Sequence, residues 1–216
     1  MQNCLKPTWY IDCDHPEIKK YNQTHLQGTG SAEEKAVKLF YLVRDGWPYN
    51  PYSINMGKHH FKASNILMQQ FSFCIPKAVL LAALAREQGI PSRLGFADVR
   101  NHLSTQRFRE LMKSDIYIYH GYTELYLHDR WVKVTTAFNK SLCNKFGVRP
   151  LEFDGRSDSI FHEYDTQGRR HMEYVRERGS YNDLPYEEIY QTFKKHYPDV
   201  FKFFENGGGG NFENEV

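Results

Sequence analysis

No run in this 216-residue chain is apolar enough, for long enough, to span a membrane, and Met1 to Tyr10 lacks the charged-then-apolar pattern of a secretory leader. Excess charge of one sign is missing too. The 28 Lys and Arg against 26 Asp and Glu leave +2 with no long single-sign run, so no basic face for nucleic acid or anionic lipid is expected. Cysteine is scarce: the four, at positions 4, 13, 74 and 143, form no CxxC pair and cannot staple a chain of this length. Free thiols in a reducing, cytoplasmic and soluble setting are expected. The ten histidines include no HExxH and no H-x-H, and the adjacent His59 and His60 cannot present two ligands to one ion as an i, i+4 helical pair does. Neither a metal nor another cofactor is anticipated, and there is no internal repeat.

What the chain does have is core-forming capacity. Hydrophobic residues make up 40% and aromatics 15%, enough for one domain with a sizeable interior. Residues 1–30 read as an edge strand at Thr8 to Cys13 followed by polar loop. The domain proper is placed at 31–205, with embellishment from about 140, and 206–216 is too glycine-rich and polar to order. Ser31 with Glu34 forms a capping box ahead of Ala36, Leu39, Phe40 and Val43, so a helix is predicted over 32–45. Trp47 and the proline-rich residues after it either line a cleft or cover a core edge. Ser64 can cap a short helix to 70. The clearest β pattern runs from Ile116 to Leu127, turns at His128 to Arg130 and returns from Trp131 to Thr135, placing His120, Tyr122, Glu124 and Tyr126 on one face.

One cysteine sits where chemistry can reach it. From Ala78 to Ala85 every residue is apolar and a good helix former, so that helix should be buried nearly all round. Pro76 is tolerated only in a first turn, which puts Cys74 at or beside the N-cap, where the macrodipole and free N–H groups favour a thiolate. Cys74 is thus either a nucleophile or one more buried small apolar residue. A nucleophilic cysteine needs an imidazole on a rigid element, and His120, on the strongest strand and followed by small Gly121, which would leave room for a substrate backbone to approach, qualifies best. The remaining histidines sit in loops, turns or polar stretches.

The order Cys74, apolar helix, Gly89-Ile-Pro-Ser-Arg93, His120-x-x-x-Glu124 and Trp131-Val-Lys-Val-Thr135 resembles the transglutaminase-like core over roughly residues 30–140. The resemblance implies a papain-related α+β fold, a buried helix with an N-terminal Cys packed on an antiparallel sheet. It also implies Cys74 as nucleophile, His120 as general base and thioester chemistry on a carboxamide, peptide or other amide of a protein or small substrate. The family aspartate that orients the histidine falls on Thr135, which carries no charge. Asn139 is the rival, because a two-residue turn at Asp129-Arg130 would set position 120 opposite 139. Glu124 either organises donors near the site or is an exposed strand carboxylate, and Asp98 either reads a polar substrate or pairs with Arg100. A fold of this kind that has lost catalysis and keeps its cleft for peptides is the competing expectation.

Overall fold

The computed structural model describes residues 1–102, 104–161 and 164–216. Along the chain lie helices α1 (Pro16–His25), α2 (Ala32–Gly46), α3 (Ala63–Ile66) and α4 (Cys74–Glu87), strand β1 (Ser92–Asn101), helix α5 (Gln106–Met112) and strands β2 (Ile116–Leu127) and β3 (Arg130–Val134). They are followed by α6 (Lys140–Phe146), β4 (Met172–Tyr181), α7 (Tyr186–His196) and α8 (Pro198–Glu205). The fold is α+β: one antiparallel sheet in the order β3-β2-β1-β4, with helices gathered on one face.

Helix α4 is the axle. Its residues from Ile75 to Arg86 are all buried, because α1, α2 and α3 pack on one side of it while β1 and β2 pack on the other. Hydroxyls fix it to the sheet: Thr123 donates to the Ala78 carbonyl at 2.9 Å, and Ser92 donates to that of Ala82 at 2.8 Å. Helix α2 starts with the predicted capping box and buries Ala36, Leu39, Phe40 and Val43 against α4.

The N-terminal expectation needs correcting. Residues 8–13 form no strand, and a helix, α1, follows, started by Pro16 at its first position and by His15, whose ring accepts the Glu17 N–H. The Asn22 amide on that helix donates to the Leu84 carbonyl at 2.9 Å, so residues before 31 belong to the core packing. Helix α3 is shorter than predicted, and Ser64, rather than capping it, donates to Asp12 Oδ2 at 2.6 Å.

The β2–β3 hairpin forms as read, but its turn is His128-Asp129, both at positive φ (49° and 59°), the backbone of a type I′ connection. Leu127 then faces Arg130 and Thr123 faces Val134, which sets position 120 in register with 137 rather than 139. Strand β4 escaped prediction because it is an edge strand rich in Glu and Arg, with no apolar alternation to betray it. The tail after 205 is packed, contrary to expectation. Phe212 is buried among Tyr49, Tyr52, Phe108 and Phe146, and Asn50 donates to the Gly210 carbonyl at 2.9 Å. One aromatic anchor there outweighs the flexible Gly run before it.

Candidate active site

Cys74 is the first residue of α4 and, unlike the buried run after it, is partly accessible. No side chain caps this helix, since Phe73 occupies the cap position. Of the first-turn N–H groups, Pro76 has none and Lys77 donates to the Phe73 carbonyl, which leaves those of Cys74 and Ile75. Both act on the Cys74 sulfur, together with the Gly121 N–H from β2. Gly121 is required there for a different reason from the one its sequence position suggested. A Cβ at 121 would lie 3.1 Å from the Ile75 Cα, so glycine lets the strand close on the helix start rather than making room for substrate.

His120 sits one residue earlier on β2, 2% exposed. Its aim is set by a bulge. Between the Ala97–His120 and Val99–Tyr117 pairs β2 carries one extra residue, and Tyr119 stands at φ 56°, an uncommon conformation for a large side chain. Asp98 holds that conformation, accepting the Tyr119 N–H at 3.1 Å while Arg178 grips the same carboxylate at 2.7 Å and lies over the Tyr119 ring. Asp98 is therefore committed to the backbone before His120 and does not line the cavity described below.

Cys74 and His120 both open onto one cavity of about 630 Å³, walled by the loop around Tyr49–Gly57, by α5, by the start of β2 and by α7 and α8. They are not hydrogen-bonded to each other, and neither ring nitrogen of His120 has a partner among the described residues. The ring instead meets Phe161 edge-on, with centroids 4.9 Å apart. Burial pushes the Cys74 thiol up to about 11, against the pull of the three N–H groups and Lys77, and holds the His120 imidazole down to about 3. The resting pair is consequently a neutral thiol and a neutral imidazole. The expectation of a preformed thiolate fails because desolvation outweighs the helix start.

The other anticipated residues are placed elsewhere. Asn139 is the cap residue of α6: its Oδ1 accepts the Tyr49 N–H at 2.8 Å and its Nδ2 donates to Ser141 at 2.7 Å, so it does not orient His120. The shift of turn explains the miss. Thr135 accepts the Ala137 N–H at 3.3 Å and likewise leaves the imidazole alone. Trp47 is buried against Tyr21 in the core and is absent from the cavity wall, where Tyr49 stands instead. Glu124 is buried on the sheet with Arg93 and Ser180 as partners, a structural cluster away from the cavity. His162 lies outside the described residues.

One residue that sequence reading passed over stands out beside the site. Lys77, fully buried in the first turn of α4, donates to the carbonyls of Arg44 (2.8 Å), Trp47 (2.8 Å) and Ala137 (3.1 Å). Three acceptors match the three donors of an ammonium and exceed the two of an amine, so the surroundings are built for the cation. Burial nonetheless draws it down to about 7, opposed by the Asp45 carboxylate. A cation is unfavourable at its own helix start but sits at the C-terminal end of α2, where carbonyls are unpaired. The signal available in the sequence was a lysine interrupting an otherwise apolar run.

The fold agrees with what the chain resembles among known proteins. The model of the transglutaminase-like superfamily matches residues 19–136, more than half of the chain, and the protein belongs to that superfamily. Among solved structures it is similar to a "Putative Cysteine Protease" from Cytophaga hutchinsonii, at 18% identity and a TM-score of 0.47, over 62% of this chain and 40% of that one. The chain thus spans less than half of the length of that protein. No curated protein matches it. No helix among the described residues is long and apolar enough to cross a membrane.

Proposed function

We propose that the protein transfers or hydrolyses acyl groups of amides through a thioester on Cys74, with His120 as base and then acid. The observation that carries this reading is the meeting, at one cavity, of a partly accessible cysteine at an uncapped helix start with a buried imidazole whose ring nitrogens have no hydrogen-bond partner among the described residues. As Sγ attacks the carbonyl carbon, its proton passes to His120, a C–S bond forms, and the carbonyl electron pair moves onto oxygen. The N–H groups of Cys74, Ile75 and Gly121 are the donors at hand for that oxyanion. On collapse the C–N bond breaks and the amine departs with the proton from His120. Water or a second amine then attacks the thioester, gives its proton to His120, and the proton returns to Sγ as the C–S bond breaks. Starting from a neutral pair, this is general-base catalysis rather than attack by a standing thiolate. The gap between the two side chains closes when substrate arrives, as catalytic hydrogen bonds commonly tighten only in the complex.

The test is mass spectrometry after exposure to p-nitrophenyl acetate. One acetyl group is expected on Cys74, absent in Cys74→Ser and formed about 100-fold or more slowly in His120→Ala. Acetyl spread over exposed lysines with none on Cys74 would overturn the reading. It would favour the second one, a peptide-binding module, for which the unpartnered and neutral imidazole is the supporting observation.

A further inference from the structure

We propose that the wall contributed by α7 and α8 is a specificity site for a bulky, uncharged, apolar acyl group joined to the carbonyl that Cys74 attacks. This rests on the acyl-transfer reading and goes further, because it fixes the chemistry of the substrate.

The argument begins with the amphipathic pattern of the C-terminal helices. Tyr190, Phe193 and Tyr197 recur at i, i+3 and i+7, and Val200, Phe201 and Phe204 follow at helical spacing on α8. Such stripes normally disappear into a core. Here all six residues face the cavity, opposite Cys74 and His120. The volume of about 630 Å³ falls in the range of sites that bury whole small molecules, far more than a glutamine carboxamide alone needs.

Charge narrows the occupant further. Among the described lining residues there is no Lys or Arg, and the only carboxylate is that of Glu205, an exposed residue. A charged group entering the cavity would shed its water with no counter-charge to meet it. Three of the five lining tyrosine hydroxyls are engaged within the protein, that of Tyr52 by donating to Glu215 at 3.0 Å. Tyr197 accepts the Ile118 N–H at 2.8 Å and donates to the Ile116 carbonyl at 2.7 Å, while Tyr117 donates to Ser104 at 2.9 Å. On the α7–α8 face Phe193, Val200, Phe201 and Phe204 offer only apolar contact, and the Tyr197 hydroxyl is engaged with β2. The same Tyr197 bonds pin the α7–α8 junction to β2, and Lys113 with Asp199 (2.6 Å) ties α8 to the end of α5, so the wall is held in place before substrate arrives.

The experiment is a chain-length series of p-nitrophenyl esters, acetate through octanoate, with the monosuccinate as the charged member, reading the rate constant for Cys74 acylation and subtracting the Cys74→Ser background. Octanoate is expected to acylate about 100-fold more efficiently than acetate, and succinate at least about 10-fold less efficiently than butyrate. Phe204→Asp, a half-buried position, should pull the octanoate-to-acetate ratio toward one. A flat series, or succinate equal to butyrate, overturns the inference while leaving the acyl-transfer reading intact. Failure of every ester, acetate included, fails that reading instead. The cavity is then tested without chemistry, by the fluorescence of uncharged N-phenyl-1-naphthylamine with the Cys74→Ser protein. Saturable binding displaced by octanamide supports the apolar site, and absence of binding sinks it.

Discussion

The stretch that matches the superfamily, 19–136, and the chain beyond it meet across one cavity and contribute different things. The first supplies the groups on which the proposed acyl transfer rests: the helix start with Cys74, the bulged strand with His120 and the N–H groups between them. The second supplies six apolar and aromatic residues of the wall, through α7 and α8, and the packed tail behind the Tyr49 loop. The first part is deeply buried because α4 packs against five other elements, α1, α2, α3, β1 and β2, whereas the wall is made of short helices that cover the site from outside. The comparison is one of opposed effects: burial pushes the Cys74 thiol up against the thiolate that the helix start favours.

That contrast can be broken most sharply by alkylation. With the thiol pushed up to about 11, only about one part in ten thousand is thiolate at pH 7, and the fraction rises tenfold for each pH unit above. Iodoacetamide should therefore modify Cys74 about 100-fold more slowly at pH 7 than an ordinary thiol, with the rate still climbing at pH 10. A rate that levels near pH 7 would mean that the helix start wins over enclosure and that the second part of the chain does not govern the first.

Lys77 tests the seam between the two parts, because its three acceptors come from α2, from the residue after it and from Ala137, just past the matched stretch. Lys77→Met keeps the apolar stem and strands three buried carbonyls, which should cost about 3 kcal/mol. In a chain of this size that lowers the midpoint of thermal unfolding by about 10 °C, as calorimetry would read. A drop under about 2 °C would show that the two parts are held together by packing alone.

The same contrast governs what was legible in the sequence. The matched part announced itself through strong patterns: the uninterrupted apolar run of α4, the alternation of β2 and β3, the capping box of α2. All of these are consequences of full burial, which leaves little freedom of residue choice. The α+β architecture and the convergence of Cys74 and His120 on one cavity followed from those patterns. Beyond 136, β4 carries charge on positions that a strand pattern needs to be apolar, and α6 and α8, of seven and eight residues, are too short for a period to stand out, so they went unread. Nor could the third residue be placed from sequence. A single shift of turn, from Asp129-Arg130 to His128-Asp129, moved the register by two residues and took Asn139 off the strand altogether.

Asn139 and Thr135, on either side of the boundary, give the smallest and finest test. In this structure Asn139 serves the cavity indirectly: its carbonyl oxygen receives the buried Tyr49 N–H, and Tyr49 forms part of the wall facing Cys74. Asn139→Ala leaves that N–H unsatisfied and should cost about 2 kcal/mol of stability, with the Tyr49 loop loosened. Its mark on acylation should be weaker binding of the acyl donor, under about 10-fold, with the maximal rate nearly unchanged, because no bond to the imidazole is lost. Thr135→Val removes only a long bond to the Ala137 N–H and should cost under about 1 kcal/mol, with acylation unaffected. A fall of 10- to 100-fold in the maximal rate of Asn139→Ala, with an unmoved unfolding temperature, would be the signature of an orienting residue that reaches His120 only when substrate is bound. The two residues would then have to be re-assigned together, since the present register leaves neither of them a bond to the ring.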